Sequence, residues 1–476
     1  MGLRIPRLMV AGLSGDSGKT VVSLSLVAGL RQRGRSVSVF KKGADYIDAA
    51  WLGAVAESDC HNLDTYMAPR DTVRRRFVTQ AHGAGVAVIE GNRGLFDGMD
   101  VEGTHSSAAL ARLLDTPVVL VVNATKTTRT LAALITGCQS FDSSLNIAGV
   151  VINRIAGSRH EAVIRGAIEQ YCGLPVVGAI PKLSNDESVI PGRHLGLVTP
   201  AEFGSMDELM ARLTEIAAHH LDIEWLIEIS ERAAPMDEVS IDCVEPVQHR
   251  TRIAFFKDAV FTFYYPENLE ALEANGAELV PLSALDTAAL PDDIDGLYIG
   301  GGFPETQVER LVANRAMMTS VKQAAEDGLP IYAECGGLIY LCRSLVAQDG
   351  CSYPMAALFG IDLKMHRRPV GHGYVEVEVD QANPFFEVGE VLRGHEFHYT
   401  GPVADTPMDG CMKVRRGVGL GQARDGLVYK SAMTCYTHLH ADGVPGWAPA
   451  FVEAASTYRA MSRGSIGGGS VAMNLA

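Results

Sequence analysis

The chain has 476 residues, 47% hydrophobic and 20% charged, which is ordinary globular material long enough for two or three domains. Its net charge of −15 argues against general electrostatic binding of nucleic acid or anionic membrane, so neither partner is expected and any anionic ligand must be held by local groups. No apolar run reaches the roughly 18 residues of a membrane span, the chain passes from Arg4 and Arg7 into LMVAGL without a cleavage pattern, and nine cysteines lie without CxxC pairs. The expectation is a cytoplasmic protein with free thiols, no disulfide framework and no zinc site.

In chain order, RLMVAGL, SVSVFKK, VAVIEG, TPVVLVVNA, NIAGVVINR and PVVGAIPK are β-rich runs separated by helix-length segments. Runs apolar on both faces predict a doubly wound parallel α/β domain over residues 1–230. After the first run comes GLSGDSGKT, residues 12–20, followed by the helical spacing of VVSLSLVAGLRQRG. Such a loop turns backbone N–H groups and a helix N-terminus toward phosphate oxygens, which assigns ATP binding to Gly12, Ser14, Gly15, Ser17, Gly18, Lys19 and Thr20, with Thr20 also on Mg²⁺. The loop departs from GxxxxGK[ST] because Leu13 stands where the first glycine belongs, and this longer form is similar to that of the dethiobiotin-synthetase-like P-loop proteins. A glycine-rich turn without nucleotide is the weaker alternative.

Two acidic clusters follow, KKGADYIDAAW with Asp45 and Asp48, and VAVIEGNRGLFDG with Glu90 and Asp97. A strand-end acid facing a phosphate loop suits Mg²⁺, a hard cation that takes oxygen ligands, so Glu90 is expected at the metal. Asp45 and Asp48 could equally form a turn and a helix cap, but Lys41, Lys42 and Tyr46 beside them favour a loop that holds a metal and an anionic acceptor together. VRRRF, residues 73–77, reads as a solvated helix face.

Residues 231–250 lose periodicity and gain proline and charge, as a linker does. A second α/β domain is expected over 251–461, with strands RIAFF, AELVPL, GLYIGGG, LPIYAEC and VEVEVD and helices YPENLEALEANG and NRAMMTSVKQAAEDG. The Gly- and Ser-rich residues 462–476 are expected to be a disordered tail. In this domain LPIYAECGGLIYL sets Cys335 between strand and helix, where a nucleophile is exposed, a helix N-terminus favours the thiolate, and nearby glycine N–H groups can hold an oxyanion. His438 and His440, or His395 and His398, could supply the base; the other eight cysteines read as structural.

A dethiobiotin-synthetase-like phosphate loop joined to a domain bearing GGGFPE, AECGG and YTHLH resembles the cobyrinic acid a,c-diamide synthase family. The resemblance runs through KKGADYID, NLDTYM, VIEGNRGLFDG, FTFYYPENLEAL, IYAECGGLIYL, RGHEFHY and YTHLHADG, nearly the whole chain. It implies an ATP- and glutamine-dependent amide synthase with a class I glutaminase domain. Carried over residue by residue, Cys335 would form a γ-glutamyl thioester, His438 would move its proton, and Gly301, Gly302 and Gly336 would form the oxyanion hole. Thr20, Asp45 and Glu90 would hold Mg²⁺, while Lys42, Tyr46, Asp48 and Asp97 would face the acceptor. Most class I glutaminases carry Glu two residues after the histidine, where this chain has His440, so slow glutaminase turnover is expected.

The implied substrates are glutamine, ATP and a tetrapyrrole polycarboxylate, cobyrinate first, with sirohaem, Ni-sirohydrochlorin and hydrogenobyrinate as alternatives; a homodimer is left open. Two other readings differ in class: a P-loop switch ATPase of the chromosome-partitioning kind, whose early loop lysine is Ser14 here, and a glutaminase-like scaffold without chemistry.

Overall fold

The computed structural model describes residues 2–183, 190, 192–193, 196–237, 251–403 and 409–464. It divides into two compact units, residues 1–65 with 69–242 and residues 66–68 with 243–476.

The first unit is built on seven parallel strands: β1 (Arg7–Gly12), β2 (Val37–Lys42), β3 (Cys60–Leu63), β4 (Val86–Gly94), β5 (Val118–Asn123), β6 (Ile147–Ile155) and β7 (Val176–Pro181). Their order, β3-β2-β4-β1-β5-β6-β7, puts β1 at the centre, where a doubly wound sheet opens its ligand crevice at the carboxyl ends of the strands. The central strands are buried along their length because helices cover a parallel sheet. Short, polar CHNL forms β3 at the edge and carries no β-rich signal, so the sequence reading found six of the seven strands. In VRRRF, Arg75 is exposed while Val73 and Phe77 are buried, so only one side of that stretch meets solvent.

The second unit has a six-stranded sheet of β8 (Thr251–Phe256), β9 (Ala277–Leu282), β10 (Gly296–Ile299), β11 (Ile331–Glu334), β12 (Leu427–Tyr429) and β13 (Ala432–Cys435), in the order β9-β8-β10-β11-β13-β12. All its pairs are parallel except β12 with β13. Alternation divides each strand between two cores: Leu297, Ile299, Ile331 and Ala333 face one, Tyr298 and Tyr332 the other. VEVEVD does not extend this sheet; it belongs to Gly371–Val379, in a separate five-stranded antiparallel sheet that also holds Val391–His398 and His438–Leu439.

The helix Ile223–Glu231 runs into the expected linker, of which 238–250 lie outside the described residues. The last helix, Trp447–Gly464, enters the expected tail, whose residues 465–476 also lie outside them. Among the described residues no helix is long and apolar enough to cross a membrane.

Candidate active sites

In the first unit β1 ends at Gly12, the chain turns through residues 13–18, and helix α1 (Lys19–Gln32) begins. Gly18 makes that turn at φ 92°, and a Cβ there would lie 2.0 Å from Asn153 Nδ2, which donates to the Ser17 carbonyl at 2.9 Å. Both the dihedral and the contact require glycine. Ser17 Oγ accepts from the Ser14 N–H at 3.2 Å and donates to the Ser14 carbonyl at 2.8 Å, so the two serines fix the loop. Open space lies around Gly15 at its crest.

Lys19 Nζ donates to the Arg93 carbonyl at 2.7 Å and lies 3.5 Å from that of Ser14. Burial, then the nearby Lys41 charge, lowers its pKa. Thr20 Oγ1 donates to Glu90 Oε1 at 3.0 Å. Lys41, on β2, is the hub of the cluster: its ammonium lies 2.6 Å from Asp48, 2.8 Å from Glu90 and 3.7 Å from Asp45.

That crowding distributes charge unequally. Burial, then the Asp48 charge, raises Asp45 to about 6, and burial raises Glu90 to about 7 although Lys41 pulls the other way. Burial would raise Asp48 too, but Lys41 prevails and lowers it. Lys41 itself is held well above the usual lysine range by Asp48, Glu90 and Asp45, which outweigh its burial.

Would this set accept Mg²⁺? Glu90 Oε2 is buried with no hydrogen-bond partner among the described residues, and Thr20 Oγ1 stands beside the same carboxylate, so hard oxygen donors with an open lone pair are present. Among the described residues no group of three or more His, Cys, Asp or Glu side chains is arranged to hold a metal. The residues therefore fit an ion that takes one or two carboxylates and completes its shell with phosphate and water oxygens, as Mg²⁺ does.

The remaining candidates divide. Tyr46 immediately precedes helix α2 (Ile47–Ala56), and Asp45 Oδ1 accepts from the Asp48 N–H at 3.0 Å, so Asp45 caps that turn as well as facing Lys41. Lys42 is buried and its pKa is lowered by that burial, against the opposing charge of Asp64. Asp97 Oδ2 accepts from the Gly94 N–H at 2.8 Å and closes the turn after β4. Sequence reasoning gave no role to Asn153 or Asp64 and did not see Lys41 as the hub; the signal available was a KK doublet ending a strand of a parallel sheet covered on both faces, where both lysines are buried.

In the second unit Cys335 follows β11 and precedes helix α3 (Gly336–Leu341), with φ 47° and ψ −93°. A non-glycine residue held there marks the sharp strand-to-helix turn on which nucleophiles are mounted. The expected exposed, thiolate-favouring setting is not what the fold provides. Cys335 is 4% exposed, and burial, with Glu305 and Glu334 adding, raises its thiol well above the usual range. A six-residue helix is too short to reverse this. The thiol lies 3.8 Å from the Phe397 carbonyl.

Gly301, Gly302 and Gly336 come together around this turn. A Cβ on Gly336 would stand 2.9 Å from the Gly302 nitrogen, and one on Gly301 would stand 2.4 Å from His438 Cε1. The adjacent Gly300 N–H is already taken by the Tyr264 hydroxyl at 2.9 Å.

His438 is buried, with Nδ1 3.6 Å from Glu334 Oε2, and its ring stacks on His395 at 4.8 Å and 17°. His395 places Nδ1 3.2 Å from the Tyr265 hydroxyl, and burial, then the neighbouring His438 and His440, pushes its pKa well below the usual value. His398 donates from Nδ1 to the Thr400 carbonyl at 2.7 Å and stacks on Tyr436 at 3.7 Å. His440 accepts the Asp442 N–H on Nδ1 at 3.2 Å and turns Nε2 toward Glu267 Oε2 at 3.5 Å. Of the eight cysteines among the described residues six are buried, Cys172 is half-buried and Cys351 is exposed, and all eight are free.

Comparison with known proteins matches both units. The model of the CobQ/CobB/MinD/ParA nucleotide binding domain covers residues 8–194, and that of the CobB/CobQ-like glutamine amidotransferase domain covers 252–445. A cobyrinate a,c-diamide synthase of Magnetococcus marinus is 40% identical over 456 residues, 94% of this chain and 97% of that one. Those of Dehalococcoides mccartyi and Archaeoglobus fulgidus are 38% and 37% identical, over 95% and 92% of this chain and 98% and 94% of their own.

Proposed function

The chain belongs to the cobyrinate a,c-diamide synthase family and is a glutamine-dependent amidating ligase, and we propose that it amidates the a and c acetate carboxylates of cobyrinate through acyl phosphates, in cobalamin biosynthesis. The observation that carries the proposal is the pairing of two sites in one chain: Lys19, Thr20, Lys41 and Glu90 gathered at a phosphate loop, and Cys335 on a strand-to-helix turn whose preceding residue, Glu334, lies 3.6 Å from His438.

A carboxylate does not condense with ammonia in water, because hydroxide is a poor leaving group. Attack of the acceptor carboxylate on the ATP γ-phosphorus, with ADP leaving, gives an acyl phosphate. Ammonia then attacks the carbonyl carbon, phosphate leaves and the new amide sheds a proton. Lys19 and the N–H groups of Gly15 to Thr20 would hold the phosphates. Thr20 and Glu90, with Asp45, would hold Mg²⁺, which when bound offsets phosphate charge. Asp48, kept ionised beside Lys41, would fix that lysine's position, and Lys42, Tyr46 and Asp97 would line the acceptor side.

For glutamine, His438 Nε2 would take the Cys335 proton as the sulfur attacks the side-chain amide carbon. The N–H groups of Gly302 and Gly336, with Gly301 shaping the turn, would hold the oxyanion. His438 would return the proton to the departing ammonia, and water would hydrolyse the γ-glutamyl thioester.

The test is mass spectrometry of products after incubation with Mg-ATP, glutamine and, in parallel, cobyrinate, hydrogenobyrinate, sirohaem and Ni-sirohydrochlorin. Two amidations of cobyrinate are expected. Double amidation of another acceptor alone would replace the substrate, and ATP hydrolysis indifferent to every acceptor would overturn the ligase reading in favour of a nucleotide switch.

A further inference from the structure

Glu334 is the last residue of β11, fully buried, and directly precedes Cys335. Alternation along β11 puts it on the same face as Tyr332, within the core that also holds Tyr298. A carboxylate there must be compensated, and it is. Oε1 accepts from the Tyr332 hydroxyl at 3.0 Å and the Leu439 N–H at 3.1 Å, and Oε2 accepts from the Tyr298 hydroxyl at 3.3 Å. Both tyrosines are held well above the usual phenol range, first by burial and then by the Glu334 charge, so they remain donors. What stands before the second lone pair of Oε2 is His438 Nδ1, at 3.6 Å.

Resting on the reading of His438 as the base for Cys335, we propose that Glu334 is its positioning residue, taking the part that a glutamate two residues after the histidine plays in most class I glutaminases. The residue in that place, His440, is turned to other groups: Nδ1 accepts from the Asp442 backbone, and Nε2 lies 3.5 Å from Glu267 Oε2. Glu334 facing Nδ1 selects the tautomer with the proton on Nδ1. Nε2, on the side of Gly301, then keeps its lone pair for the thiol proton. When that proton arrives, Glu334 compensates the imidazolium. The Nδ1–Oε2 distance is too long for a hydrogen bond and close enough to shorten into one as charge develops. The orienting acid thus comes from the nucleophile's own strand.

The experiment compares Glu334→Gln, Glu334→Asp and His438→Asn in the full chain, by glutaminase kinetics against pH and by amidation with an ammonium salt. In Glu334→Gln an amide N–H faces Nδ1 and favours the other tautomer, so kcat for glutamine should fall about 10²-fold or more with little change in KM. The acid limb of kcat/KM should move to lower pH, because an imidazolium without its counter-ion loses its proton more readily. Glu334→Asp should recover part of kcat, and ammonia-driven amidation should stay near wild type in both, reporting an intact fold. Wild-type kcat in Glu334→Gln, or a fall with the acid limb unmoved and no recovery in Glu334→Asp, overturns the proposal. If His438→Asn keeps glutamine turnover, the base assignment itself falls; if it loses turnover while Glu334→Gln keeps it, only the role of Glu334 falls.

Discussion

The two candidate sites solve opposite electrostatic problems. At the phosphate loop, Lys41 gathers Asp48, Glu90 and Asp45, and Lys19 stands near enough to feel its charge. The result is a crowded polar centre whose carboxylates do not share one pKa: Asp48 is driven down while Glu90 rises to about 7. Around Cys335 burial keeps the thiol protonated and His395 neutral, with Glu334 beside His438. A triphosphate needs charge already in place when it arrives. A buried thiol is better left neutral until the substrate is seated, since an uncompensated thiolate in that core would be costly. One site is organised by ions and the other by directed hydrogen bonds.

The largest expected effect divides the two. Cys335→Ala removes the proposed nucleophile, so glutamine-driven amidation should fall by about 10⁴-fold or more while ammonium salts still support it. Product formation with each nitrogen donor measures this, and equal loss with both would break the division.

The next effect is smaller and reversed in place. Glu90→Gln keeps the shape but takes a negative charge from beside Lys41 and Thr20, so amidation should fall about 10²–10³-fold with either donor, with basal glutaminase near wild type. If glutaminase falls in parallel, Glu90 serves the fold and not the phosphate site.

Much of this contrast was legible in the residues. GLSGDSGKT fixes a strand, a turn and a helix by itself, and AECGG between apolar runs fixes the turn at Cys335, because both signals are local. What escaped depends on partners far apart in sequence. Asn153 reaches Ser17 across 136 positions, and Lys41 meets Glu90 across 49, contacts that no spacing rule encodes. Glu334 is a subtler case. In IYAEC it reads as the polar end of a strand, and only the tyrosines brought to the same face by β10 and β11 show that it is buried. Asp97 also has a local duty that FDG alone does not reveal, since its Oδ2 closes a turn with Gly94.

The smallest expected effect concerns acid. His395 has a folded pKa well below 6.5, so in the window beneath 6.5 the unfolded chain binds a proton that the folded one does not, and stability declines as pH falls. One such group is worth about 1.4 kcal/mol per pH unit in that window. Glu90, raised to about 7, and Asp45, raised to about 6, have the opposite sign: between the ordinary carboxylate range and those values the folded state holds more protons, so acidification stabilises it. In the Mg²⁺-free chain, lowering pH from 7.5 to 5.5 should speed amide exchange in β11 and slow it in β4, after correction for intrinsic rates. His395→Asn should flatten the first response, through loss of the group that titrates, and leave the second unchanged. A parallel response in both strands would mean that the buried histidine and the buried carboxylates do not govern the acid behaviour of their own units.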